Sequence, residues 1–381
     1  MDSNELAMRE HVRFRGKLQT AVPFALDSRE ALSWAYTPGV AEPCRVIAKD
    51  PERVYDLTIK GHTVAVVTDG SAVLGLGNIG PEASLPVMEG KCALFKAFGD
   101  LDAFPIALNT LDVDEIVETV KRISTVFGGV NLEDISAPRC FEVERQLVEE
   151  LDIPVMHDDQ HGTAVVIMAG LTNALKVVRK EMSNIRVAMS GAGAAGLAVA
   201  HLLHALGVPE IAVVDSRGIL VSDREDMNAY KKEVAVYNVS KRRGGLSEAM
   251  RGADVFIGVS APGIVSGDMV ASMAKDAIIF AMANPLPEIM PEVALTAGAR
   301  VVATGRSDFP NQVNNVLAFP GIFKGAMGVR ARRITSEMKV AAATALAGLV
   351  ESPSAERIIP DPFTPRLADT VAKAVADAWK S

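Results

Sequence analysis

The sequence predicts an α/β protein: an N-terminal α/β domain followed by a Rossmann-type, doubly wound parallel-sheet domain. Three observations carry this. Apolar runs at 185–190, 211–214, 255–259, 277–283 and 301–303 alternate with mostly helical stretches, the pattern of a parallel sheet covered on both faces. The first half repeats the alternation in shorter form. A glycine signature joins the strand at 185–190 to the helix after it.

Taken in order, Val113, Ile116, Val117, Val120, Ile123, Val126 and Phe127 fall at helical spacing and are followed by Gly128 and Gly129, predicting an amphipathic helix with a glycine stop. VNLED at 130–134 reads as a strand, 139–151 as a helix and IPVM at 153–156 as the next strand. A helix over about 162–179 leads into the regular second half. The domain boundary is placed at residue 160, giving an N-terminal unit over 1–160 and a C-terminal unit over 161–381. After the proline-rich stretch from Pro353 to Pro365, one further amphipathic helix is expected over 367–379, packed back on the body.

The chain has 381 residues, 39 Lys plus Arg and 47 Asp plus Glu, hence a net charge of −8. That length exceeds the roughly 250 to 300 residues at which single cores stop growing. Hydrophobic content of 49% and charged content of 23% exclude disordered and fibrous classes. The acidic balance, without a Lys/Arg block, argues against a nucleic-acid partner. Cys44, Cys92 and Cys140 stand alone and read as buried small hydrophobes in a reducing compartment. The charged N-terminus lacks the apolar segment of a signal peptide, and the run from Val340 to Val350 is too short to span a bilayer. A cytoplasmic protein without a membrane partner is the expectation.

G-x-G-x-x-G occurs twice, as Gly75, Gly77, Gly80 and as Gly191, Gly193, Gly196. The second follows the strand IRVAMS and opens a small-residue helix through Ala194 and Ala195, the context in which backbone amides meet a pyrophosphate. The strand IAVVD then ends in Asp215, placed to meet a ribose hydroxyl. A well-packed βαβ turn is the bland alternative. After the first copy, Pro81 and Pro86 are expected to interrupt any helix opening at Gly80, so it reads as a substrate-domain loop.

Glu133 and Asp134 end one strand, and Asp158 and Asp159 end the next after a single helical crossover. In a parallel βαβ unit both ends emerge on one edge, so four carboxylates converge and repel one another. All-oxygen ligation suits Mg²⁺ or Mn²⁺; the alternative is a solvated acidic loop. His157 and His161 are taken as structural. Lys91 is placed at the start of the helical stretch KCALFKAF, where the positive end of the dipole would depress it into a general base. Composition alone does not separate it from Lys96, and Tyr36 alone says little. Asn284 and Asn314–Asn315 follow late strands, at the edge where ligands bind; Asn-Pro is equally a turn signal.

The ordered motifs YTPGVAEPC, LGLGNIGPEASLPVMEGKCALFK, NLEDI, HDDQHGTA, SGAGAAG, ANPLPE and NNVLAFPG resemble the malic enzyme family, in its short, single-function bacterial form. The resemblance implies a substrate domain followed by a Rossmann-type cofactor domain, and oxidative decarboxylation of L-malate to pyruvate and CO₂ with NAD or NADP. It implies Glu133, Asp134 and Asp159 as metal ligands, Asp158 as partner of the lysine, Lys91 as general base and Tyr36 as general acid. Asn284 and Asn315 match residues that contact substrate or nicotinamide.

Two departures stand out. Larger members carry an arginine just before LGLG, where this chain has Ala72; Arg306 or the Ser307 segment is nominated to meet the substrate carboxylate instead. The chain also ends at residue 381 without the acyltransferase-like extension of some bacterial relatives. Asp215 favours NAD, while Arg217, Lys231 and Lys232 are near enough to meet a 2′-phosphate, and the expectation leans to NAD. A homodimer or higher homo-oligomer is the base-rate assembly. Two alternatives remain open: a metal-dependent oxaloacetate decarboxylase, disfavoured by the glycine fingerprint, and a non-catalytic dinucleotide-binding protein, which leaves the carboxylates and Lys91 without purpose.

Overall fold

The computed structural model describes residues 3–73 and 75–380. It begins with an arm of short helices, α1 (Ser3–Phe14), α2 (Arg29–Ala35), α3 (Ala41–Lys49) and α4 (Val54–Leu57). The chain then forms β1 (Thr63–Thr68), α5 (Pro81–Gly99), β2 (Asp102–Ala107), α6 (Val113–Ile123), β3 (Gly129–Leu132), α7 (Arg139–Glu150) and β4 (Val155–His157). The four strands make one parallel sheet in the order β2-β1-β3-β4. Strand order reverses between β1 and β3, with β2 added on one side of β1 and β3 on the other, and such switch points open a crevice at the carboxyl ends of the strands. Period-2 alternation divides β1: Ala65 and Val67 meet α6 and α7 on one face, Val64 and Val66 meet Met88, Cys92 and Phe95 of α5 on the other.

A second sheet begins after α8 (Asp158–Val178). Its elements are β5 (Arg186–Ser190), α9 (Ala194–Ala205), β6 (Glu210–Asp215), β7 (Gly218–Ile219), α10 (Ala229–Ala235), α11 (Leu246–Met250), β8 (Val255–Gly258), α12 (Gly267–Ala271), β9 (Ala277–Ala281), α13 (Pro291–Thr296) and β10 (Ala299–Thr304). The order is β10-β9-β8-β5-β6-β7, parallel except for the short β7 hairpin. Its switch point lies between β5 and β8, where the Ser190 and Ser260 hydroxyls are 2.8 Å apart. Both faces are apolar, as a doubly wound sheet requires: Val187 and Met189 point to one core, Ala188 and Phe256 to the other. α8 is long and apolar enough to cross a bilayer, yet 67% of that stretch is buried, which marks it as a core helix.

Three C-terminal helices, α14 (Phe319–Gly328), α15 (Ser336–Gly348) and α16 (Leu367–Ala378), close the molecule. α14 does not stay with the second sheet: the Phe95 ring of α5 lies 4.6 Å from that of Phe319 and 5.4 Å from that of Phe323. The division at residue 160 separates the sheets, but the layer over α5 is completed from the far end of the chain.

Several sequence expectations need correction. A helix does open directly after Gly80, with Pro81 at its first position and Pro86 inside it; the first helical turn needs no donor from Pro81, whose fixed φ suits it. α6 stops at Ile123, before Gly128, and Gly129 opens β3. α8 begins at Asp158, so β4 passes into the helix without a loop. Cys44 is exposed on the arm, unlike Cys92 and Cys140, because α3 buries none of its side chains.

Candidate active site

Glu133 follows β3 and Asp158 opens α8, so the first sheet delivers both at its carboxyl edge. Lys91 reaches them from the eleventh residue of α5: its Nζ lies 2.6 Å from Asp158 Oδ2 and 2.9 Å from Glu133 Oε1. All three side chains are buried. The Phe319 ring lies under the ammonium, 4.2 Å from Nζ to centroid, a cation–π contact between residues too far apart in the chain to be read from spacing. Asn315 donates from Nδ2 to Asp158 Oδ2 at 2.7 Å, and Asn131 donates to Glu133 Oε2 at 2.9 Å.

The dipole argument for Lys91 is overturned. The residue sits mid-helix, away from the N-terminal turn where the helix dipole acts. Burial alone would lower its pKa, but the Asp158 and Glu133 carboxylates outweigh burial and hold the ammonium above the usual lysine range. Lys96, by contrast, is exposed and pairs with Asp100 and Asp102, so burial is what separates the two lysines.

Glu133, Asp134 and Asp159 bring carboxylate oxygens within 4.8 Å of one another. Asp134 takes a left-handed φ of 54°, a conformation Asp tolerates and one found at functional sites. Its amide donates to Asp159 Oδ2 at 2.9 Å, which ties the two strand ends together. Burial drives the Glu133 carboxyl well above the ordinary range, opposed by Lys91 and reinforced by Asp159, Asp158 and Asp134. A self-repelling set of hard oxygen donors fits Mg²⁺ or Mn²⁺. The flanking histidines are not among these three donors: His161 pairs with Glu144 at 3.0 Å, and the buried His157 backs the set, its Nε2 3.7 Å from Asp159 Oδ2.

Gly162 is the residue whose importance the sequence hid. A Cβ there would stand 1.9 Å from Asp158 Oδ1 and 3.1 Å from Asn315 Cβ. Its absence lets the carboxylate fold back along α8 and meet Lys91. The only signal was the glycine within HDDQHGTA.

At the second sheet, Gly191 has φ +112° and a Cβ on Gly196 would lie 2.0 Å from the Gly191 carbonyl oxygen. That close approach is what the third glycine of a dinucleotide turn provides. Gly191, Gly193, Asp215, Arg217 and Lys231 line one cavity of about 770 Å³. Ala194 and Ala195 open α9, and Ala194 packs against the core cluster that holds Ile135, so the phosphate turn abuts the carboxylate edge. Asp215 does not stand free: Arg224 reaches it twice, at 3.0 and 3.1 Å, and Lys231 at 2.8 Å. Lys232 is exposed and does not line the cavity.

Asn284 is exposed at the end of β9, next to the first glycine loop: a Cβ on Gly75 would lie 3.0 Å from its carbonyl oxygen. The turn is anchored by buried Glu288, which accepts from the Ala283 amide at 3.0 Å and the Ser260 amide at 2.9 Å. Arg306 lies beside the same turn but is committed to Asp308 at 2.6 Å and to the Pro285 carbonyl. Tyr36 is not gathered with the others: it caps α2 with 68% of its surface exposed.

The malic enzyme N-terminal domain matches residues 15–148, and the malic enzyme NAD-binding domain matches residues 160–378. The chain is 59% identical to a bifunctional malic/malolactic enzyme of Bacillus subtilis, over 99% of this chain and 93% of that one. It is 56% identical to an NAD-dependent malic enzyme of Geobacillus stearothermophilus, over 95% and 76% respectively. An NADP-dependent malic enzyme of Rhizobium meliloti is 48% identical over 95% of this chain, which spans half of that protein. The solved NAD-dependent malic enzyme of Thermotoga maritima superposes with a TM-score of 0.94 at 49% identity, covering 99% of each chain. This chain belongs to the malic enzyme family.

Proposed function

We propose that the chain oxidatively decarboxylates L-malate to pyruvate and CO₂ while reducing a nicotinamide dinucleotide. One observation carries the reading: a buried lysine clasped by Asp158 and Glu133 stands at an edge that adjoins the dinucleotide turn. Glu133, Asp134 and Asp159 would hold a divalent ion, which supplies Lewis-acid polarisation of the C2 oxygen and offsets the carboxylate charge around Lys91. With that charge offset, the ammonium would give up its proton before the reaction, and the neutral Lys91 amine would take the C2 hydroxyl proton at Nζ as hydride passes from C2 to the nicotinamide. Asp158 and Asn315 hold that amine in place. The 2-oxo group then accepts the electron pair released as CO₂ leaves, and Tyr36 delivers a proton to C3. Asn284, at the mouth between the sheets, is assigned to substrate or nicotinamide.

The coenzyme assignment leans to NAD, since Asp215 stays ionised under Arg224 and Lys231, with Lys231 and Arg217 giving a 2′-phosphate a foothold. The lone, unpaired cysteines support reading the protein as one of a reducing compartment such as the cytoplasm. Nicotinamide reduction with malate and Mn²⁺, measured with each dinucleotide, tests the activity. Pyruvate formation from oxaloacetate without any nicotinamide reduction would favour the decarboxylase instead.

A homodimer with shared sites accounts for Tyr36. The arm exposes Leu6, Met8, Val12, Phe14, Phe24 and Trp34, an apolar surface too large for a free segment. Among the described residues no hydrogen bond joins Tyr36 to the Lys91 cluster. In this reading a second copy covers the arm, and the partner's Tyr36 enters the site of Lys91. Mixing Tyr36→Phe and Lys91→Ala subunits tests it: hybrids of two inactive chains regain one competent site per dimer, and no recovery would place both residues in one chain's site.

A further inference from the structure

A second cavity, of about 580 Å³, lies between α7 of the first sheet and α9 of the second, floored by α8 and closed at one end by α15. It is distinct from the dinucleotide cavity, being on the flank of α9 rather than at its N-terminal turn. The Phe141 ring of α7 and the Tyr230 ring of α10, 4.5 Å apart, bridge the two halves across it. Its walls are mostly apolar, with Val148 on one side and Leu197 and Leu202 on the other, and the Arg145–Glu149 pair and His201 at their rims.

The polar end is built from charges the mechanism does not use. Glu144 is saturated: it accepts from the His157 amide at 2.8 Å, from Gln160 at 3.0 Å and from His161 at 3.0 Å; burial pushes its carboxyl up, but His161 and the nearby charge of Lys339 hold it down at about 2. Arg145 is likewise committed, to Glu142 and Glu149. Lys339 is not. Its Nζ meets His161 Nδ1 at 2.9 Å, and among the described residues neither Lys339 nor Arg333, which also lines the cavity, forms an ion pair. Two cations with no direct carboxylate contact among the described residues thus stand at one end of a mostly apolar crevice.

We propose that this crevice binds a small amphipathic organic anion, its acidic head on Lys339 and Arg333 and its apolar body between α7 and α9. Pockets of this size, mostly apolar with a few convergent polar groups, suit such ligands, and a charge-assisted hydrogen bond from a part-buried ammonium supplies the orientation. The site is placed to act on the reaction. Gln160 and His161 lie on the same helical turn as Asp158 and Asp159, and the crevice spans the two sheets whose edges form the active site. An occupant that favours one spacing of α7 and α9 therefore shifts affinity for malate or dinucleotide, and these shift its own affinity by the same factor.

The test uses the intact protein with 8-anilinonaphthalene-1-sulfonate as the probe anion. Saturable fluorescence enhancement is expected, unaffected by saturating NAD or NADP at the dinucleotide turn except for a limited change in affinity. Arg333→Ala, an exposed substitution that leaves the fold intact, and Lys339→Met, checked by thermal melting, are each expected to weaken the probe about tenfold. Bound probe is expected to shift the KM for malate in the unsubstituted enzyme but not in Arg333→Ala at the same probe concentration. Equal binding by both variants, or full competitive displacement by NAD, would overturn the site. An unshifted KM under saturating probe would overturn its effect on turnover.

Discussion

The two sheets solve the problem of holding a charged ligand in opposite ways. The first places four carboxylates and a lysine at its carboxyl edge, nearly all of them buried, so its site is built from side chains that repel or attract one another strongly. The second places almost no charge at its switch point and uses backbone brought close by Gly191 and Gly196. A side-chain site is expensive to bury and collapses when one member is lost; a backbone site depends on the absence of a Cβ. Substitutions should therefore fail differently at the two edges.

The largest effect is expected at the first. Lys91→Ala removes the proton acceptor and should lower malate turnover by at least about 100-fold, with dinucleotide binding by fluorescence retained. It also leaves Asp158 and Glu133 buried without their counter-charge, a loss of about 3–5 kcal/mol. Melting with and without Mn²⁺ sharpens the comparison, because an ion held by Glu133, Asp134 and Asp159 would offset part of that loss. A destabilisation independent of Mn²⁺ would count against the carboxylates as its ligands. Asp159→Ala should likewise abolish metal-dependent turnover while sparing dinucleotide binding.

Next come the two glycines, one at each edge. Gly162→Ala puts a methyl 1.9 Å from Asp158 Oδ1, so the carboxylate must leave Lys91; kcat should fall with little change in dinucleotide affinity. Gly196→Ala puts a methyl 2.0 Å from the Gly191 carbonyl, and here the dinucleotide KM should rise. If both variants lost the same kinetic constant, the division of labour between the sheets would be wrong.

The sequence was legible where period and spacing carry information, and opaque where the contact is made by distant parts of the chain. Alternating apolar runs marked the strands of both sheets, and adjacent strand ends showed that Glu133, Asp134, Asp158 and Asp159 converge. The fingerprint at Gly191 to Gly196 was readable because a strand and an acid at fixed distance framed it. The environment of Lys91 was not readable, since Pro81 and Pro86 suggested a broken helix and so placed the lysine at a false N-terminus. Phe319 was invisible for a different reason: it reaches the site from 228 positions further on, through a C-terminal helix that finishes the first sheet's layer. The role of Tyr36 came only from family resemblance, and its exposure came only from the structure.

The smallest expected effect lies at the coenzyme's ribose, the one place where the second sheet does rely on side-chain charge. Asp215 carries hydrogen bonds from Arg224 and Lys231, and Lys231 and Arg217 share its cavity wall. In Lys231→Ala the carboxylate loses one of its two cationic partners, and a 2′-phosphate would meet more negative charge with one ammonium fewer. A charge-assisted hydrogen bond contributes about 1.5–3 kcal/mol, so kcat/KM for NADP should fall roughly 10- to 100-fold, since 1.4 kcal/mol is tenfold. The value for NAD, which brings a hydroxyl rather than a phosphate, should change little. An equal fall for both dinucleotides would mean that Lys231 only supports the shape of the cavity, and that even at its most charged position the second edge discriminates by backbone.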